Sequence, residues 1–98
     1  MQLKENQLKH LKGLGHSLKP VVMIGAKGLT ENVLMEIDNA LEYHELIKVK
    51  ITGADRNEKK SLIVGISDKT DSTIIAAIGN IALLFKRNSD KPKIELPK

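Results

Sequence analysis

The chain has 98 residues, 41% of them hydrophobic, and a formal net charge of +4, a length and composition that suit one domain with its own core. Cysteine is absent, which excludes disulfides, thiolate metal sites and a cysteine nucleophile, and no apolar run approaches the roughly 20 residues of a membrane helix. Aromatic residues make up 2%, Tyr43 and Phe85 alone, which excludes the stacked-ring platforms on which many nucleic-acid-binding sheets hold bases.

In chain order, Leu8, Leu11, Leu14 and Leu18 recur at helical spacing and predict a first helix over residues 4–16. Lys9, Lys12 and His16 fall at i, i+3 and i+7, a basic stripe on another face of that helix. Gly13 and Gly15 weaken its last turn, and Lys19-Pro20 ends the segment because the residue before proline avoids helical angles. Residues 21–24, Val-Val-Met-Ile, read as the first strand.

Gly25-Ala26-Lys27-Gly28 follows at once, and Thr30 is the expected N-cap of a second helix running to about residue 44, with Val33, Leu34, Ile37, Ala40 and Leu41 as its apolar stripe. Residues 46–51 alternate from Ile47 as a second strand, with Lys48 and Lys50 opposite its core side. Asp55 to Glu58 has capping-box spacing for a third helix over 57–69. The stretch Ser61–Ser67 is β-branched enough to form a strand instead, and the capping signal decides for the helix. Residues 73–78 and 81–87 are the third and fourth strands, joined by Gly79-Asn80 as a hairpin. Residues 88–98 read as a polar tail with a short extended piece at Ile94–Leu96. The order α-β-α-β-α-β-β implies a two-layer α/β sandwich on a mixed four-stranded sheet, one domain over 1–98.

Charge is distributed in blocks. Five lysines against Glu5 give residues 1–28 a net +4; Glu31, Glu36, Asp38, Glu42 and Glu45 with no Lys or Arg give 29–45 a net −5; eleven basic against six acidic residues give 46–98 a net +5. The strand, Gly-x-x-Gly loop and helix at 21–44 can cradle a phosphate on free backbone N–H groups. Strand-to-helix turns also use glycine for positive φ alone, so spacing leaves both roles open. Lys27 inside the loop, the helix N-terminus after it and Lys9, Lys12, His16 and Lys19 before it favour the phosphate. Lys86 and Arg87 close the last strand as a further basic pair, while Lys48 and Lys50 read first as a solvated strand face.

A catalytic constellation is missing from the pattern. None of the serines sits in a nucleophile elbow, the histidines at 10, 16 and 44 have no second ligand at zinc spacing, and Gly25–Gly28 does not meet the nucleotide P-loop pattern. The expectation is a non-enzymatic, soluble, cytoplasmic protein with no cofactor, no metal, no membrane partner and no small-molecule substrate.

Leu11-Lys12-Gly13 through His16, Leu18–Val22, and Ile24-Gly25-Ala26-Lys27-Gly28-Leu29-Thr30 resemble the opening signature of the YhbY-like, or CRM (chloroplast RNA splicing and ribosome maturation), domain family. Glu36-Ile37, residues 40–50, Ala77-Ile78-Gly79 and Leu84-Phe85-Lys86 continue the resemblance, over about residues 3–87. It implies a free-standing bacterial member, a fold similar to the C-terminal domain of translation initiation factor three, a helical 57–69, and RNA contact at Gly25, Ala26, Lys27 and Gly28. Two positions depart from the family pattern: its Leu-Tyr-Arg triplet is here Leu84-Phe85-Lys86, and a glutamine before the hairpin Ile-Gly is here Ala77. The implied function is binding of ribosomal RNA in precursors of the large ribosomal subunit, with salt-steep, weakly sequence-specific affinity and with the acidic second helix turned away from the RNA. The competing expectation is a protein-interaction module whose acidic second helix docks a basic ribosomal protein or assembly factor.

Overall fold

A computed structural model describes residues 2–98 and contains α1 (Glu5–Gly15), β1 (Pro20–Ile24), α2 (Glu31–His44), β2 (Leu46–Ile51), α3 (Arg56–Thr70), β3 (Thr73–Ile78) and β4 (Ile81–Phe85). Each helix starts where its sequence supplies an acceptor. Gln7 Oε1 takes the Lys4 N–H at 2.9 Å, Thr30 Oγ1 takes that of Val33 at 3.2 Å, and Asp55 Oδ1 takes that of Glu58 at 2.8 Å, each satisfying a donor that the helix start leaves free. The ambiguous stretch 61–67 is helical, with Ile63, Ile66 and Thr70 turned inward at helical spacing.

The strands form one sheet in the order β1-β2-β4-β3. β1 and β2 are parallel and joined through α2, while β4 runs antiparallel to both neighbours, β2 and β3. The β3–β4 turn has Gly79 at φ +59 and no positive φ at Asn80, the primed geometry that matches strand twist and that glycine adopts without strain. β4 ends at Phe85, two residues short of the expected Arg87, because its partner β2 begins only at Leu46: the Lys86 N–H still reaches the Glu45 carbonyl at 2.9 Å, but Glu45 caps α2 and offers no strand to pair with.

Strand alternation builds two cores. Val22, Ile24, Ile47, Val49, Ile51, Ala82 and Leu84 face α2 and α3 and meet Ile37, Leu41, Ile63 and Ile66; this is the sheet-and-helix sandwich of the sequence reading. Leu46, Leu83, Phe85 and Ile75 point the other way and are covered by Leu11 of α1 together with Leu3, Leu8, Ile94 and Leu96. Fully burying each such side chain stabilises the fold by about 1.5–3 kcal/mol.

Residues 88–98 are therefore docked, with no strand at 94–96. The reason lies at Glu45, fully buried at the end of α2 with φ +65. Its Oε1 accepts the N–H groups of Lys93 and Ile94, each at 2.7 Å, and its Oε2 accepts that of Asn88 at 2.7 Å. Gln7 Nε2 donates to the Pro97 carbonyl at 2.9 Å and completes the attachment to α1. Among the described residues, no helix is long and apolar enough to cross a membrane.

Candidate functional site

The Gly25–Gly28 segment is a tight turn at the carboxyl end of β1: the Gly28 N–H donates to the Gly25 carbonyl at 3.0 Å, and Gly28 sits at φ +72, where any side chain would be strained. Gly25, Ala26 and Lys27 are exposed. Among the described residues, the N–H groups of Ala26 and Lys27 donate to no protein atom. The turn is anchored from β2, where Thr52 donates both its N–H, at 2.9 Å, and its hydroxyl, at 3.3 Å, to the Ile24 carbonyl.

Both strand-to-helix connections thus meet at one edge of the molecule. A shallow groove runs between Gly25-Ala26-Gly28 and Thr52-Gly53-Ala54, bounded by Asn57 and Glu58 in the first turn of α3. This is the carboxyl end of two adjacent parallel strands, the place where open α/β sheets leave a ligand crevice. On the α2 and α3 side of the turn Glu31, Asp55 and Glu58 are interleaved with Arg56, Lys59 and Lys60. The Glu58 N–H, donated to Asp55 Oδ1 at 2.8 Å, holds the Asp55 carboxyl below its usual range.

The basic residues occupy the other side of the sheet. Lys12 and His16 line a groove between α1 and the β3–β4 hairpin, and Lys48 projects into the same groove from β2. Lys48 Nζ also donates to the Leu18 carbonyl at 3.0 Å. Lys9 is exposed one turn earlier on α1, and Lys19 is exposed just before β1. The strand lysine, discounted in the sequence as a solvated position, therefore joins the predicted stripe. The signal was present in the alternation of 46–51, but only the placement of α1 shows what shares that face.

Lys86 and Arg87 lie elsewhere. Phe85 pairs with Leu46 at the amino end of β2, whereas Ile24 pairs with Ile51 at its carboxyl end, so the basic pair is about 17 Å along the sheet from the turn. Arg87 is committed to the fold: Nη1 donates to the Ile94 carbonyl at 2.7 Å, lies 3.5 Å from Glu45 Oε2, and its guanidinium stacks 5.7 Å over the Phe85 ring. The structure gathers Lys12, His16 and Lys48 in one groove, sets the turn three strand spacings from it, about 14 Å, and leaves Lys19 with Lys86 and Arg87 toward the other end, beside His44, Leu46 and Ile94. Among the described residues, no group of three or more His, Asp or Glu side chains gathers to hold a metal.

Comparison with known proteins agrees with this architecture. A protein of Haemophilus influenzae named "RNA-binding protein" is 51% identical over 98% of this chain and 96% of its own length. A "probable RNA-binding protein" of Pseudomonas aeruginosa is 41% identical over 90% of this chain and 85% of its own. The solution structure of a Staphylococcus aureus protein, put forward as RNA binding, superposes with a TM-score of 0.82 at 33% identity, covering 98% of this chain and all of that one. The CRS1 / YhbY (CRM) domain profile matches residues 3–86, from two residues before α1 to the residue after β4, and with that match over the whole sheet the chain belongs to the CRS1/YhbY (CRM) domain family.

Proposed function

We propose that this chain binds RNA by its phosphate backbone at the Gly25–Gly28 turn, and that the RNA is ribosomal, in precursors of the large subunit. The observation that carries the reading is the exposed turn with free N–H groups at Ala26 and Lys27. Two adjacent N–H groups with no Cβ crowding at Gly25 form a concavity for an anionic oxygen, and Lys27 adds a point charge. The names of the relatives support RNA as the ligand, and the family resemblance supports the ribosomal assignment. Sidedness supports it too, since α2 with its carboxylates packs on the opposite face of the sheet from α1 and its basic stripe. RNA approaching from the α1 side meets Lys9, Lys12, His16, Lys19 and Lys48 and no acidic helix.

Replacing Ala26 and Lys27 by aspartates places two negative charges at the turn without touching the core. RNA binding, read by anisotropy with a labelled ribosomal RNA hairpin, is expected to disappear while the thermal melt stays near wild type; unchanged affinity refutes the turn as the site. Crosslinking in cells with sequencing of the bound RNA tests the assembly reading, which an absence of ribosomal RNA among the products overturns.

One observation favours a second reading. On the outer face of α2, Met35 and Tyr43 are 62% and 69% exposed among Glu31, Glu36, Asp38 and Glu42, and the one ion pair among the described residues is Arg87–Glu45. Unpaired acids around two exposed apolar anchors suit a basic ribosomal protein or assembly factor. Such a partner survives ribonuclease treatment in a pull-down, and an RNA-bridged one does not.

A further inference from the structure

The hairpin end of the sheet carries a row of side chains that α1 leaves uncovered. Met23 pairs with Lys50, Lys50 with Ile81, and Ile81 with Ile78. Because Ile47, Val49 and Ile51 face α2 and α3, alternation sends all four members of this row to the α1 side. Helix α1 stops one row short of it: Gly15 sits against Leu83, whose cross-strand partner is Lys48. Met23 and Ile78 are consequently 68% and 77% exposed, although each is paired within the sheet.

The row begins beside the Gly25–Gly28 turn and ends at the groove of Lys12, His16 and Lys48, about 14 Å away across three strand spacings. No carboxylate lines that groove, and the row itself contributes Lys50. Flat aliphatic and thioether surface between cations fits a chain of planar apolar faces joined by anions, which is unpaired nucleic acid. A blunt duplex keeps its base faces stacked inside and cannot use Met23, Ile81 or Ile78. We infer that the row Met23–Lys50–Ile81–Ile78 is a track for unpaired nucleotides, leading a single-stranded extension of the RNA held at the turn into the groove beside α1. The inference rests on the phosphate reading of the turn and adds the form of the RNA: a helix end or junction with a free strand.

The test compares a labelled RNA hairpin with the same hairpin carrying a short single-stranded overhang at either end, against wild type and two exposed-surface variants. An overhang at one end is expected to tighten binding by about threefold or more, less than an aromatic platform gives because the row offers aliphatic and thioether faces only. Met23→Ser with Ile78→Ser should erase that gain, leave hairpin affinity within twofold, and bring the salt slope of overhang binding down to that of the bare hairpin. Lys50→Gln should instead lower that slope by about 0.7, one single-strand phosphate contact. A hairpin that binds with no gain from either overhang overturns the track and spares the turn; failure of both RNAs to bind overturns the turn as well. Retention of the overhang gain in the serine variant also overturns the track, as does saturable binding of an acidic, leucine-rich peptide to this face that the overhang fails to displace.

Discussion

Glu45 is the residue on which most of the unexpected structure depends. A glutamate at φ +65 costs about 1–3 kcal/mol of backbone strain, and burial alone would raise its pKa. The N–H groups of Asn88, Ile94 and Lys93, with the Arg87 charge, more than offset that and hold the carboxyl below its ordinary value. Glu45→Gln replaces one acceptor oxygen by an amide that faces donors, so it should lose about 2 kcal/mol in urea unfolding. The pH dependence follows from the direction of the shift. The unfolded glutamate, with its ordinary value of 4.5, binds a proton more readily than the native one, so the stabilisation is complete above about that pH and is lost as pH falls through the lowered native value. Wild-type and Glu45→Gln stabilities should converge in acid, and a difference that stays constant down to that range counts against the carboxylate as the latch.

At the scale of elements, α1 shows how two similar glycines differ. A Cβ at Gly13 meets nothing within 4 Å, whereas one at Gly15 lies 2.6 Å from Leu83 Cδ2 in the second core. Gly13→Ala should therefore stabilise by about 0.5–1 kcal/mol through helix propensity, and Gly15→Val should destabilise by about 1–3 kcal/mol by forcing α1 off the sheet. Thermal melts of the two variants should move in opposite directions. The sequence marks both only as weak points in the last turn, because close approach between elements is a tertiary fact. Elements with a local cause were readable: Thr30 and Asp55 cap α2 and α3, Gly79 turns the hairpin, and capping outweighs the β-branched run in α3. The Gly25–Gly28 turn was readable for the same reason, being strand, glycine and cap within ten residues. What escaped was decided across the sheet: Lys48 joining Lys12 and His16, Arg87 turning to Glu45, and α1 lying opposite the acidic α2.

The whole molecule is polarised along its strands as well as across its sheet. The turn, the hairpin and the basic groove occupy one end; Glu45, Arg87 and the docked residues 88–98 occupy the other. Stability and recognition should then be separable by truncation. Deleting residues 88–98 removes the N–H donors of Asn88, Lys93 and Ile94 and the apolar cover of Ile94 and Leu96, and should cost about 2–3 kcal/mol, a melting shift on the order of 10 °C for a chain of this size. In the truncated chain Glu45→Gln should add less than about 1 kcal/mol, since the three N–H donors are gone and only Arg87 still faces the carboxylate, and such a shortfall from additivity is the mark of a shared interaction. The deletion takes away Lys91, Lys93, Lys98, Asp90 and Glu95, a net loss of one positive charge far from the turn, so RNA affinity measured well below the melting temperature should change by less than about twofold at moderate salt, where a charge beyond about 10 Å is largely screened. A tenfold loss of affinity in the truncated but folded chain would instead make the docked tail part of the binding surface, and would break the division of labour between the two ends.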